Sequence, residues 1–394
     1  MVLLGQRKTM MLALPMGAIL WLVLALAPSV RVLQVVRVAH GMVLGLYLGP
    51  SINYVLEIAH TSARGRLSAL IHVGRQLGFL FIYTVGSSGI HWRHTSIVCG
   101  CVTVIPFIIL CFIRDSPRWL ATKSRMEDAQ KSIEFFRGKK YPAEDELRDI
   151  QVQLETSSGG TSSVLDQIKL FKEPAVAKII ILFVFLFYIY QQTGNFAMIV
   201  YSTTIFHSVD SSIDAYLSTI IIGCVRVFAT MVYLLISDKI SRKIIIFGSF
   251  TLSSIFMAIL AAYSFASNYG YDVSSFDFVP LVSLALFIFF TCSSQSSLFL
   301  IRGELMPTSV RSLGVALTNV VLFLGAFTIS FSFTPMVSSI GTHGAFTVFA
   351  VNGLLMLILT SIFVPETRSK SLEDIQKELV NTKNTSKAET NGRV

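Results

Sequence analysis

Residues 217–236 and 244–265 are two apolar runs joined only by residues 237–243. Each is long enough to cross a bilayer, which takes roughly 20 residues. Inside hydrocarbon such a segment satisfies its own backbone polar groups as a helix. A connection this short keeps both ends at one membrane face. It carries Asp238, Lys239, Arg242 and Lys243, and this excess of bases predicts a cytoplasmic loop.

Composition supports the same class. Apolar residues make up 53% of the chain and charged residues 14%, against about 25% charged in soluble domains. The formal charge of +9 could suggest nucleic acid. The bases fall in loops and tails between apolar runs, however, so positive-inside bias accounts for them and no nucleic-acid partner is expected. Cys99, Cys101, Cys111, Cys224 and Cys292 all lie within apolar segments, so neither a disulfide framework nor a metal site is expected. Arg7 and Lys8 precede an apolar run that continues as a full span without a small-residue cleavage site, so no cleavable leader is expected.

The chain divides into about ten spans. They are residues 9–28, 33–58, 67–86, 95–113, 177–206, 217–236, 244–265, 279–301, 313–335 and 345–364. Loop charge alternates along them. Arg7 and Lys8, Arg64 and Arg66, Lys239, Arg242 and Lys243, and Arg302 and Arg311 fall on one side. Loops 207–216, 266–278 and 338–344 contain no Lys or Arg, and Arg31 and Arg93 are the exceptions. Both termini are therefore expected in the cytoplasm. The polar stretch 114–173 is rich in bases and expected on the same side. Within it, residues 129–137 and 143–154 have helical periodicity, and 156–163 reads as a flexible linker. The tail after Glu366 is polar and expected to be disordered at its end.

Several fragments stand out, in order along the chain. Arg37, Gly41, Gly45 and Gly49 set small residues at a spacing that lets helices approach closely. Glu57-Ile-Ala precedes Arg64-Gly65, and Asp115-Ser-Pro-Arg118-Trp119-Leu120 follows the fourth span. Gly303-Glu304-Leu-Met-Pro307 comes before Arg311, and Pro365-Glu366-Thr367-Arg368 before Ser371 to Ile375. With the Asp238 to Lys243 loop, these resemble the motifs of the sugar-porter branch of the major facilitator superfamily. Within that branch the wording is similar to that of insect facilitated trehalose transporters. Lys239 and Ser241 stand where the branch has Arg and Gly, and Asp115 where it has Glu.

The resemblance implies an all-α polytopic membrane protein with a major facilitator fold. Gly5 to Met10 is similar to the loop between the family's second and third spans, which implies a fold truncated from twelve spans. The expected organisation is an incomplete half-bundle of four spans over residues 1–113 and a cytoplasmic helical loop over 114–176. A six-span half-bundle over 177–366 and a cytoplasmic tail over 367–394 complete it.

Family likeness also suggests roles. Glu57, Arg64, Asp238, Arg242, Glu304, Arg311 and Glu366 match residues that form cytoplasmic ion pairs, which break as the transporter opens inward. The bland reading of each is a structural pair near a helix end. Arg226 lies mid-span, where a charge is costly, so it should face the bundle interior or a cavity. Gln76 matches a family glutamine in the solute site. Aligned through Gly194, Gln191 matches another, while Tyr190 and Phe196 stand where the family has Gln and Asn. A one-residue shift would instead retain both glutamines, Gln191 and Gln192, at the expense of a gap. Phe299 keeps an aromatic of the tenth-span motif, and Leu322-Phe323 replace an Asn-Trp pair. Amides suit sugar hydroxyls because they both donate and accept. The bland alternative for these glutamines is interhelical glue. Gly194 is a candidate helix break that frees backbone groups for a cavity.

The expected function is movement of a sugar, trehalose or a hexose-like solute, by facilitative alternating access across the plasma membrane. Cofactors and catalytic residues are not expected. The apolar substitutions in the site keep two alternatives open: a non-transporting relative that senses solute or acts as a scaffold, and a carrier of a more apolar organic solute. Oligomeric state is not indicated.

Overall fold

The computed structural model describes residues 4–60, 64–138, 141–158, 169–171, 173–208, 214–237, 239–306 and 310–364. The chain forms two compact units, residues 1–161 and 162–394. The expected linker 156–163 falls largely outside the described residues, as do Asp238, Glu366 and the tail.

In the amino-terminal unit the long helices are α1 (Gln6–Ala25), α2 (Val30–Ile58), α3 (Arg64–Ser87) and α4 (Trp92–Phe112). Helix α1 packs against both α2 and α4. The approach is close because small residues meet there. A Cβ added at Gly17 would touch Val43 and Thr103, and one at Gly100 would lie 3.2 Å from Trp21 Cβ. Short helices α5 (Pro117–Thr122), α6 (Met126–Arg137) and α7 (Ala143–Ser158) follow. The expected periodicity at 129–137 and 143–154 is thus helical. Helix α6 is strongly amphipathic and buries Ala129, Ser132 and Ile133. Side chains tie this layer to the ends of the long helices. Arg137 donates to the Ile58 carbonyl at 2.7 Å and pairs with Glu146 at 3.0 Å. Ser132 donates to the Asp115 carbonyl, Tyr54 to that of Arg114, and Arg7 to that of Leu110.

The carboxy-terminal unit contains α8 (Pro174–Gln192), α9 (Asn195–Val200), α10 (Ser202–Ser208), α11 (Ala215–Ile236), α12 (Arg242–Asn268), α13 (Val279–Leu305) and α14 (Arg311–Phe363). Helix α12 packs against α13 and α14, α11 against α13, and α8 against α14. Helix α14 contains two expected spans, separated at Gly341, whose φ of 74° is non-helical. The expected span 177–206 is not one helix but three pieces, α8 to α10.

Seven helices among the described residues are long and apolar enough to cross a membrane. The remaining expected spans fall in α3 and in the broken α8–α10 segment. With α14 containing two spans, each of the ten expected segments is helical. Large apolar side chains such as Ile19, Val35, Phe112, Phe228 and Phe331 are exposed on the helix surfaces, as expected of faces solvated by lipid.

Candidate functional site

The break in α8 organises the carboxy-terminal unit. Gly194 has φ 85° and ψ 0°, the left-handed conformation in which glycine meets no Cβ penalty. A broken helix leaves carbonyls without intrahelical partners. Here the last three of them find one. The Tyr190 carbonyl accepts from Thr193, that of Gln191 from the Gly194 N–H, and that of Gln192 from Asn352 at 3.0 Å.

Side chains around the break form two polar groups. In the first, Asn195 Nδ2 donates to Tyr190 Oη at 2.9 Å and Tyr190 Oη donates to the Thr291 carbonyl at 3.3 Å. Thr291 Oγ1 lies 3.3 Å from Asn195 Oδ1. All three residues are buried. In the second, Gln191 Nε2 donates to the Leu322 carbonyl at 3.2 Å. Gln192 Nε2 donates to Thr328 Oγ1 at 3.0 Å and to the Gly325 carbonyl. Gly325 makes this approach possible, since a Cβ there would lie 3.0 Å from the Gln191 side chain. Gln191 Oε1 is buried and accepts no hydrogen bond from a described residue.

Tyr190, Gln191 and Gln192 are thus brought to one place. Phe196 turns away, packing on the apolar cluster that contains Phe346 and Phe349. The inward amide is its neighbour Asn195, which the motif alignment passed over. Phe299 on α13 lies 5.2 Å from the Phe187 ring. Gln76 is buried on α3 in the other unit. Asn195, Thr291, Thr328 and Asn352 were not singled out from sequence. Their one signal was a lone amide or hydroxyl within an apolar run. So many serines share that signal in this chain that it selects nothing without coordinates.

Arg302 was counted among the inner-loop bases. The structure instead turns it back into the bundle. The residue is 7% exposed, with Nη1 donating to Thr318 Oγ1 at 2.9 Å and to Asn319 Oδ1 at 2.7 Å. Its guanidinium also lies 4.9 Å from the Phe187 ring centroid and 4.8 Å from that of Phe299. Arg226 is likewise buried, at 2% exposure, on α11.

Of the expected gate residues, Arg242 and Glu304 pair at 2.8 Å. Each sits at the end of its helix that its charge disfavours, Arg242 opening α12 and Glu304 closing α13. Mutual pairing offsets that dipole penalty. Glu57 accepts from Gln6 Nε2 at 2.8 Å and from Ser116 Oγ. The Arg64 and Arg311 side chains, together with Asp238 and Glu366, lie outside the described residues. Because both partners of the Arg242–Glu304 pair are partly exposed, it contributes little stability, about 0–1 kcal/mol. Its expected importance is conformational. Glu304→Gln should favour inward-open states and slow transport at near-normal surface expression. Accessibility of an inner-facing cysteine measures the shift, and unchanged transport would leave the pair a purely structural one.

Comparison with known proteins follows the same line. A family model described as "Sugar (and other) transporter" matches residues 1–379. Facilitated trehalose transporter Tret1 of Culex quinquefasciatus is 29% identical over 95% of this chain and 72% of its own length. A Tret1-2 homolog of Drosophila sechellia is 30% identical over 96% of this chain and 77% of its own length. The partially occluded, inward-open xylose transporter XylE from E. coli superposes with a TM-score of 0.78 at 20% identity, over 94% of this chain and 83% of its own. That likeness concerns the fold.

Proposed function

The chain belongs to the sugar (and other) transporter family, and we propose that it carries a hydroxyl-rich sugar, of the trehalose or hexose class, by facilitative alternating access. It is a multi-pass membrane transporter and not an enzyme. One observation carries the solute reading: Gln191 Oε1 is a buried acceptor with no partner among the described residues, beside the Gly194 break. A buried polar atom left in this state costs about 1–3 kcal/mol, and a sugar hydroxyl would satisfy it. The names of the trehalose-transporting relatives point the same way. Gln76, buried on α3 of the amino-terminal unit, is a proposed solute contact from the family resemblance.

A second reading also has an observation behind it. Tyr190, Gln192 and Asn195, and the Gln191 amide nitrogen, are all hydrogen-bonded within the chain itself. A site whose donors are internally engaged suits a more apolar solute, or a relative that does not transport.

Uptake of labelled trehalose and glucose by protein reconstituted in vesicles separates the two. The expected result is slow, saturable uptake. Gln191→Ala or Gln76→Ala should reduce it further, by about tenfold for each ~1.4 kcal/mol of lost contact. Fast uptake surviving both substitutions would move the site elsewhere, and uptake of neither sugar would favour the second reading.

The proposed location is the plasma membrane, with both termini and the α5–α7 layer cytoplasmic. The support is the lack of Lys and Arg in loops 207–216, 266–278 and 338–344. A cysteine placed at Ser158 should react with an impermeant reagent only after cells are permeabilised. Labelling of intact cells would invert the topology.

A further inference from the structure

We propose that Arg302 is an anion-binding residue of the solute site, and that the solute recognised is a sugar acid, a sugar bearing one carboxylate. This rests on the sugar-transporter reading above and adds the charge of the solute to it. Arg302 is a buried cation that pairs with no carboxylate of a described residue. Taking a charge out of water is costly unless it is paired. The nearest acid along α13, Glu304, is two positions away, a spacing at which side chains do not face each other, and it pairs with Arg242. Phe299 and Asn319 beside Arg302 are only partly buried, which leaves the guanidinium close below the surface of this unit.

The geometry of the guanidinium selects the ligand. Nη1 is held by Thr318 and Asn319 on α14, and the group lies against the Phe187 and Phe299 rings. The remaining donors, Nε and Nη2, meet no acceptor among the described residues, and Nε is buried. These two form one edge of the planar group, and that edge gives two parallel hydrogen bonds to a single carboxylate. Because the group is already oriented, little side-chain freedom remains to be lost on binding. Position ties this edge to the solute site. Arg302 follows Phe299 by one turn of α13. Asn319 precedes by one turn of α14 the Leu322 carbonyl that holds Gln191 Nε2. Three residues rise roughly 4.5 Å, so the guanidinium lies about one turn from the level of Gln191. A sugar hydroxyl at Gln191 Oε1 would leave a carboxylate on the same ring to meet Arg302. Phosphate would bring a second charge, and Phe187, Phe299, Thr318 and Asn319 supply no second cation. A neutral sugar leaves the edge unpaired, in keeping with the slow glucose and trehalose uptake expected above.

The test measures affinities of the whole protein in detergent for glucuronate, its neutral methyl ester, glucose and acetate. Uptake of labelled glucuronate and glucose in vesicles accompanies them. Glucuronate is expected to bind about tenfold more tightly than glucose, equivalent to ~1.4 kcal/mol, with the methyl ester close to glucose and acetate a weak competitor. Arg302→Met should erase the preference, and Arg302→Lys, which keeps the charge but not the two-donor edge, should restore only part of it. Equal affinities for glucuronate and its ester, or a preference that survives Arg302→Met, would overturn the proposal. So would acetate competing as well as glucuronate, which would make this a site for any anion. Glucose uptake with no response to glucuronate would remove the sugar acid and leave the sugar-transporter reading intact. Glucuronate binding that depends on Arg302, without uptake of either solute, would uphold the binding residue and remove transport. Should Arg302→Met fail to fold, the comparison of glucuronate with its ester on the unaltered chain decides the matter.

Discussion

Gly194→Ala is expected to abolish transport and to lower thermal stability sharply. Two penalties combine at this position. A non-glycine residue in the left-handed region costs about 1–2 kcal/mol. The new Cβ would also sit 2.4 Å from the Phe349 ring, which is 1% exposed and cannot retreat. Forcing extra atoms into a filled core costs about 1–3 kcal/mol more. Relief by either route straightens the break and moves the Tyr190–Asn195–Thr291 group and both glutamines. Gly194→Ala combined with Phe349→Leu removes the clash but not the backbone strain, so it should recover part of the stability and little transport. The checks are the apparent melting temperature in detergent and vesicle uptake. Wild-type values for the single variant would show that the break is dispensable.

Arg302→Ala is expected to destabilise the carboxy-terminal unit by about 3 kcal/mol or more. It removes two hydrogen bonds to a charged donor, each contributing about 1.5–3 kcal/mol. It also removes the guanidinium that lies against both the Phe187 and Phe299 rings, where cation–π attraction contributes about 0.5–2 kcal/mol. Arg302→Met separates packing from charge. Buried charges carry a desolvation penalty, and apolar residues of similar volume often replace them at no loss of stability. The methionine variant should therefore melt near the parent, leaving Thr318 and Asn319 to rebond, while the alanine variant melts well below it. Two equal melting temperatures would mean that the guanidinium stabilises nothing by its volume.

Some of the site was legible only as residue types. Gln191 and Gln192 stood out because they match the glutamines of the family's seventh-span motif. Whether one or both faced inward depended on where the helix broke, and the alignment left two registers open. Asn195 was invisible for the same reason. Beyond a left-handed residue the helix restarts with a new phase, so the face predicted for Asn195 and Phe196 by continuing the old period does not hold. Arg302 misled differently: position near a span end implied an inner-loop base, but a long side chain can turn back along its helix and find partners on two others.

The sequence by itself determined that this chain is a set of bilayer-spanning helices, the approximate limits of the spans, the loops rich in positive charge and the family. Those follow from local quantities: hydropathy over about 20 residues, loop charge, and motif order. Tertiary structure alone decided which amides share a site, that Arg242 meets Glu304, that Arg302 is internal, and that α12 and α14 approach closely at Gly353. Each of these depends on which faces of distant helices meet. Within lipid the hydrophobic pattern says little about facing, because interior and exterior are both apolar, and close packing and buried hydrogen bonds make the choice.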